Sequence, residues 1–311
     1  MRVTSSTFSN NLINHLNTLG VRQSRLQTQV ATGQRIQSPA DDPVAMRRAM
    51  DLQAESGAVA QYQTNIGRLQ GTATASYDAI KSIKSVSDRA GEITTLADGL
   101  KSPDQLKTYA TEVNSLIKQA VQAANAQNQG SYILGGTKTD QPPFAMTTDA
   151  DGNVTAVTYQ GNASVSAVDV TADTSVAATI PGANASGTGP RGLITDPRAG
   201  ADLFNHLISL ADHLRAGDTA AIASTDRPQI ASDEGNIIYN LSQNGTTQTQ
   251  LSALSAAGTS RSAALDQGVS KETDADLAET LVRLNETQTA YQATLKSAGT
   301  VMNQTLLDFL H

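Results

Sequence analysis

LINHLNTLGVRQSRLQTQVATG, residues 12–33, decides the fold. Leu12, Leu16, Leu19, Gln23, Leu26, Val30 and Gly33 follow one another in alternating steps of four and three. That spacing is the seam one helix presents to another in a coiled coil. The far end repeats the device in LAETLVRLNETQTAYQATLKSAGTVMNQTLLDF, residues 277–309, where Leu277, Leu281, Leu284, Gln288, Tyr291, Leu295, Ala298, Met302, Thr305 and Phe309 step in the same way. Each seam holds one central Gln. A single stripe of this kind reads equally well as an amphipathic helix on an ordinary core; two matched seams at opposite ends of one chain read as partners.

Charge agrees with that pairing. Residues 1–40 carry Arg2, Arg22, Arg25 and Arg35 and no acid, whereas residues 271–311 carry twice as many acids as bases. Opposite signs favour association. Aligned antiparallel with Gln23 opposite Gln288, Leu16 falls near Leu295 and Val30 near Leu281, which places both termini at one end. Each seam is narrow and has small residues at Gly33 and Ala298, so a lone pair buries little apolar area against the entropy of ordering it. The seams are therefore expected to order fully only when neighbouring subunits pack on them.

Between the seams the helix punctuation is plain. Asp42-Pro43 reads as an N-cap followed by Pro at the first helical position, and the helix runs through Leu52, Val59, Tyr62, Ile66, Leu69, Ile80 and Ile83 to Gly99, a rod of about 80 Å. Ser102-Pro103-Asp104-Gln105 restarts a helix with a capping box that carries Leu106, Val113, Ile117 and Ala124 before Gly130. Asp196-Pro197 reads as the opening of another, with Leu203, Leu207, Leu210 and Leu214 on one face and Gly217 after it. A short piece at Ile222 leads past Pro228 into a last seam of Ile230, Ile237, Leu241, Gln248, Leu251 and Leu265.

Residues 131–195 differ in kind. They are rich in Gly, Thr, Val, Asn and Pro, alternate at Val154–Tyr159 and Val165–Val170, and supply turns at Asp151-Gly152 and Gly161-Asn162. The expected fold is mainly α and elongated, a long antiparallel helical bundle or coiled coil formed by both chain ends, with a small β-rich insert. Its expected domains are a terminal coiled coil of residues 1–42 and 270–311, a helical rod with a β-hairpin of residues 43–137 and 196–269, and an outer insert of residues 138–195. Few core contacts are expected to cross the edge of the insert.

Composition narrows the function. The chain has 311 residues, no Cys and no Trp, and a net charge of −7, so disulfides are excluded and a general nucleic-acid binder is disfavoured. Leu, Ile, Val and Phe make up about a fifth of it, which implies thin cores. No stretch has the apolar length of a membrane span, and the start, MRVTSSTFSNNLINHL, lacks the apolar run of a secretory signal. The Arg-rich, acid-poor start has the composition of a transit peptide, which keeps open an organellar enzyme with a removable leader; the mass of the native protein separates the two.

Motifs for chemistry fail on context. Gly187, Gly189 and Gly192 spell a dinucleotide fingerprint, but Pro190 sits inside it and no βαβ unit surrounds it. Asp149, Asp151 and Asn153 imitate an EF-hand start, yet Val154 stands where that loop needs Gly and Gln160 where it needs Glu. His15, His206, His213 and His311 are scattered, only His206 and His213 sharing a helical face, so a transition-metal site is not expected. No nucleophile elbow or P-loop is present. No catalytic, cofactor-binding or metal residues are assigned, and no cofactor is expected. The candidate site is the assembly seam of Leu12, Leu16, Leu19, Gln23, Leu26, Val30, Leu277, Leu281, Leu284, Gln288, Tyr291, Leu295, Met302 and Phe309.

Ala31-Thr32-Gly33-Gln34-Arg35-Ile36, followed by Asp41-Asp42-Pro43, resembles the N-terminal signature of the flagellin superfamily. Filament flagellins usually show a pair of small residues after the two acids, whereas Asp-Asp-Pro is similar to the superfamily's hook-associated branch. Glu272, Asp274, Leu277, Leu281, Asn285, Gln288 and Tyr291, with the closing Leu306-Leu307-Asp308-Phe309-Leu310, resemble the C-terminal helix of that branch. Tyr159-Gln160-Gly161-Asn162 and Ile180-Pro181-Gly182 resemble its insert, and Gly130-Ser131-Tyr132-Ile133-Leu134-Gly135-Gly136-Thr137 its hairpin. Residues 184–195 match no pattern of the family.

The resemblance implies a structural, non-enzymatic subunit at the junction between flagellar hook and filament, with filament flagellin as the alternative and Pro43 the local discriminator. It further implies a homo-oligomeric ring, contact with a neighbouring hook-associated protein and with flagellin, and a flagellar export chaperone. Type III export without a cleaved signal, to an extracellular place in the flagellum, follows from the same resemblance. Neither nucleic acid nor membrane insertion is among its implications.

Overall fold

The computed structural model describes residues 5–97 and 99–309, with side chains described from residue 10 to residue 300. Seven α-helices dominate the described chain: α1 (Ser5–Thr32), α2 (Pro43–Leu96), α3 (Pro103–Ala124), α4 (Leu203–Ala216), the single turn α5 (Thr219–Ala221), α6 (Arg227–Thr273) and α7 (Leu277–Phe309). Among the described residues no helix is long and apolar enough to cross a membrane.

Local chemistry sets the helix ends. Asp42 accepts the Ala45 amide at 3.0 Å and so caps α2, with Pro43 in the first turn where its missing N–H costs nothing. Ser102 and Gln105 form the reciprocal capping box of α3, at 3.3 and 3.0 Å. Gly217, at φ 73°, ends α4 in the left-handed conformation that glycine adopts without strain.

The chain forms two compact units, one of residues 1–58 and 261–311, the other of residues 59–260. The core of the 59–260 unit runs from Ile80, Ile83 and Ile93 on α2 through Val113 and Ile117 on α3 to Leu207, Leu210 and Leu214 on α4 and Ile230 and Ile237 on α6, all but sealed from solvent. A smaller cluster joins Ile66, Leu69 and Ala73 of α2 to Val170, Val176 and Leu251.

Among the described residues eight short strands form four antiparallel pairs: β1 (Gln127–Asn128) with β2 (Ser131–Tyr132), β3 (Phe144–Thr148) with β4 (Val154–Tyr159), β5 (Val168–Asp169) with β6 (Ser175–Val176), and β7 (Thr195–Asp196) with β8 (Ala201–Asp202). The β3–β4 turn is built by Asp149, whose Oδ1 accepts the amides of Asp151 and Asn153 at 2.9 and 2.8 Å, with Gly152 at φ 78°. The acids that imitate a calcium loop thus hold a backbone turn.

Three sequence expectations need correction. The alternation over Val165–Val170 yields only the two-residue β5. Asp196-Pro197 does not open a helix, because the buried Asp196 carboxylate instead accepts from the Gly192 amide and from the Arg198 amide and guanidinium, holding a turn that ends at Gly200, and α4 begins at Leu203. The expectation that few core contacts cross the insert boundary also fails, since Phe144, Val154, Leu193 and Ile194 lie in the same core as α2, α3 and α4. Phe144 stacks edge-on against Phe204 with ring centroids 5.2 Å apart. A segment poor in strand pairing cannot close a core of its own, so it fills the one that the helices leave open.

His206 and His213 on α4 reach two buried carboxylates spaced, like themselves, seven residues apart. His206 Nδ1 lies 2.8 Å from Asp233 Oδ2 and His213 Nδ1 2.7 Å from Asp226 Oδ2, while the Ser209 hydroxyl donates to Asp226 at 2.9 Å and the Asp202 amide to Asp233 at 2.8 Å. Burial works against a charged His206, but the hydrogen bond and charge of Asp233, with the charges of Asp202 and Asp226, outweigh it and raise its pKa. Burial raises that of Asp233, and His206 offsets part of the rise.

Both shifts make the folded state hold protons more tightly than the unfolded chain. The stability they supply is therefore complete at low pH and is lost as pH rises through the folded values. The 59–260 unit is expected to melt at a lower temperature at pH 9 than at pH 6, and His206→Gln to flatten the dependence above pH 6.5. Equal melting temperatures of the parent chain at the two pH values would contradict the linkage.

Candidate assembly interface

Within the unit of residues 1–58 and 261–311, α1 and α7 pack against each other. A joint fixes their phase. Gly33, at φ 71°, ends α1, and Gln34 then forms an isolated antiparallel bridge with Asp274. The Arg35 amide donates to the Thr273 carbonyl at 2.7 Å, and the Ala275 amide to the Gly33 carbonyl at 2.8 Å. α1 enters this bridge and α7 leaves it, so the two helices run antiparallel.

Side chains lock the joint. Arg35 Nη2 donates to the Glu272 carbonyl at 2.7 Å and Nη1 to Asp42 at 3.2 Å, while Arg48 pairs with Glu272 at 3.2 Å. Asp41 Oδ2 accepts the amides of Ser38 and Gln37 at 3.0 and 3.1 Å, and its other oxygen meets Arg25 at 3.2 Å. Those hydrogen bonds hold Asp41 below the usual carboxylate range, the Ser38 amide acting most strongly; the Ala45 amide and then Arg35 do the same for Asp42. Ile36, Ala45, Ala49 and Leu265 are buried in the same unit. Asp276 caps α7 through the amides of Ala278 and Glu279 at 2.9 and 3.1 Å.

The bridged residues Gln34 and Asp274 lie outside both helices, in the segments that leave α1 and lead into α7. On α1 the seam faces inward: Leu26 is buried and Leu12, Leu16, Leu19, Gln23 and Val30 are half-buried. On α7 the inward stripe is Thr280, Leu284, Thr287, Tyr291, Thr294 and Ala298, again in steps of four and three.

Leu284, Gln288 and Tyr291 are half-buried, but Leu277, Leu281 and Leu295 are exposed. Met302 and Phe309 lie outside the residues whose side chains are described. The buried Thr280 and Thr287 and the half-buried Thr294 carry no polar penalty, because each donates to the carbonyl four residues back, at 2.6, 2.7 and 2.8 Å. A hydroxyl satisfied on its own helix can sit in a seam as a small apolar residue does.

A cleft of about 330 Å³ opens between α1 and the start of α7, lined by Arg22, Arg25, Arg35 and Arg283 with Asp276 and Glu279. Glu279 pairs with Arg283, and Asp276 is occupied as the helix cap. Arg25 and Arg35 pair in turn with Asp41 and Asp42, so most of the cleft's charge is matched by an acid.

The residues of this joint are those of the signature Ala31–Ile36 and Asp41–Pro43, and comparison with known proteins meets them there. The description bacterial flagellin N-terminal helical region matches residues 4–139. Over those residues the chain is similar to the flagellin superfamily.

Among superfamily members, flagellar hook-associated protein 3 of Escherichia coli is 27% identical over 309 residues, which covers 93% of this chain and 95% of that one. A flagellar hook-associated protein of Vibrio parahaemolyticus shares the fold at a TM-score of 0.64 and 21% identity, covering 75% of this chain and all of that one. The flagellar junction protein FlgL of Legionella pneumophila does so at a TM-score of 0.55 and 16% identity, covering 72% of this chain and 100% of that one.

The signature thus has a mechanical explanation: Gly33 stops α1, Arg35 and Asp42 tie the stop to the end of α6, and Asp41 rigidifies the turn between. Sequence reading found the motif and missed its long-range partners, Glu272 and Thr273, which lie more than 200 residues away. It also noted that His206 and His213 share a face but missed Asp226 and Asp233, although their matching seven-residue spacing was there to be read.

Proposed function

We propose that the chain is a structural subunit of the bacterial flagellum, an adaptor at the junction between hook and filament that polymerises through packing of its terminal helices. The observation that carries this reading is the joint at Gly33–Pro43 and Glu272–Asp276, which couples both chain ends and coincides with the superfamily signature. The similarity to hook-associated protein 3 over nearly the whole chain favours the junction over the filament. Asp-Asp-Pro at positions 41–43 favours it too.

On this reading the partners are further copies in a ring, a neighbouring hook-associated protein on one side and flagellin on the other, with an export chaperone before assembly. The place of action is the flagellum outside the cell, reached by type III export with no cleaved signal. Residues 1–42 with 270–311 form the assembling layer, residues 43–137 with 196–269 the middle layer, and residues 138–195 the outer surface. The seam residues Leu12 to Val30 and Leu277 to Phe309 act in assembly and none acts in catalysis.

Deleting the gene is expected to leave hooks without filaments, with unpolymerised flagellin in the medium, and the protein is expected in sheared flagella at a few copies per filament. Normal filaments in the deletion strain would overturn the reading. Abundance equal to that of the filament subunit would point instead to flagellin.

A further inference from the structure

The stretch 184–195, which matches no pattern of the family, is rich in glycine and yet firmly held. Asn184, 1% exposed, donates from its carboxamide to the Thr188 and Pro190 carbonyls, both at 2.6 Å, and accepts from the Ser186 amide and hydroxyl at 2.9 and 2.7 Å. From the other side Asn236 of α6 donates to the Gly192 and Leu193 carbonyls at 2.8 Å. Between these two anchors stands Arg191, its Cζ 4.2 Å from the centre of the Tyr239 ring. Stacking orients a guanidinium plane without consuming its N–H groups. Among the described residues no acid pairs with Arg191, whereas its neighbour Arg198 is spent on Asp196 and the Gly189 carbonyl.

Arg191 borders a groove of about 220 Å³ between this segment and α6, and no carboxylate lines it. One wall is apolar, with Val165, Ile180 and Pro190. The other is a stripe of carboxamides on α6. Asn244 is spent on the Ala73 carbonyl at 3.1 Å and on Gln248 at 2.7 Å. Asn240, only 3% exposed, donates to the Asn236 carbonyl at 3.0 Å, but its Oδ1 has no donor among the described residues. Gln243 is exposed beside it.

Three unmet demands meet in this groove: an anion for Arg191, a donor for Asn240 Oδ1 and apolar surface for the opposite wall. An inorganic anion answers only the first. An acidic sugar would call for an open aromatic face, and Arg191 already lies over that of Tyr239. A peptide answers all three, with a side-chain carboxylate, a main-chain N–H and apolar neighbours.

We propose that the groove between Arg191 and the Asn240–Gln243 stripe binds an acidic peptide, an Asp or Glu of which pairs with Arg191 while a main-chain N–H reaches Asn240. The site lies wholly within the 59–260 unit and stands whether or not the assembly reading does.

The test passes two pools of short peptides over the immobilised full chain. One pool carries a single Glu among apolar residues, and the other carries Gln in the same place. Mass spectrometry identifies the peptides retained, and fluorescence anisotropy of a labelled member measures affinity. Glu peptides are expected to be enriched about tenfold over their Gln counterparts. Arg191→Gln should weaken binding about tenfold and leave the melting temperature unchanged, since Arg191 makes no hydrogen bond or ion pair within the described chain. Gln243→Glu, at an exposed position, should weaken it as much by offering Arg191 a carboxylate of its own.

Equal retention of the two pools, or retention of neither, overturns the proposal. So do Arg191→Gln and Gln243→Glu chains that bind as the parent does. Displacement of the peptide by an equal concentration of a glucuronic-acid disaccharide overturns the peptide in favour of a carbohydrate.

Discussion

Replacing residues 138–195 with a short Gly/Ser linker is expected to abolish cooperative melting of the 59–260 unit. The deletion removes Phe144, Val154, Leu193 and Ile194 from a core that also holds Ile83, Val113 and Leu207. At about 1.5–3 kcal/mol for each fully buried side chain, the loss is roughly 6–12 kcal/mol, against a whole-domain stability of about 5–15 kcal/mol.

Hydrogen bonding adds to it. Asn114 Oδ1 accepts the Val154 amide at 2.8 Å, and Asn236 Nδ2 donates to the Gly192 and Leu193 carbonyls at 2.8 Å. Both amides are buried, and stranding each costs about 1–3 kcal/mol. Far-UV circular dichroism against temperature is the measurement; a single sharp transition at the parent temperature would show that the β segment contributes nothing to the core.

Gly136→Ala is the single substitution with the largest expected effect. The residue sits at φ 70°, and an added Cβ would come within 2.1 Å of the Asn162 carbonyl oxygen and 2.4 Å of its Oδ1. The left-handed conformation alone costs a side-chain-bearing residue about 1–2 kcal/mol. The neighbour cannot yield cheaply, since Asn162 is held by its amide to the Gly135 carbonyl at 3.1 Å, by Thr137 on both sides of its carboxamide, and by the Tyr159 hydroxyl, which donates to its carbonyl at 2.9 Å.

A total loss of about 3–4 kcal/mol follows, or roughly 10 °C in melting temperature for a unit of this size. Gly67→Ala on α2, which meets nothing within 4 Å, is the contrast: its melting temperature should hold or rise, by up to about 1 kcal/mol of stability. Similar melting temperatures for the two variants would refute the steric account.

The Gly136 contact shows why the β segment was less legible than the helices. Gly135-Gly136 reads from sequence as a turn, but nothing local says that Asn162 closes over it. Asp196 is instead a local competition: Asp before Pro is the context of a helix cap, yet its carboxylate takes the Gly192 amide and Arg198, both within four residues of it.

Sequence by itself determined the helices and their ends, because caps and turn glycines act within four residues of the positions they control. Asp42-Pro43, the Ser102 box and Gly217 all act where they were read. It also determined that the two chain ends pair antiparallel, through matched seams and opposite charge.

Only the tertiary structure decided which side of α7 meets α1. The sequence offers two columns with identical spacing, one of leucines and one of threonines, and hydrophobicity chooses the leucines. The bridge between Gln34 and Asp274, locked by Arg35 on Glu272 and Asp42, rotates the choice to the threonines. Periodicity reports that a helix has a face; the phase of two helices is set by whatever rigid joint connects them, and that joint is made of residues more than 200 positions apart in the chain.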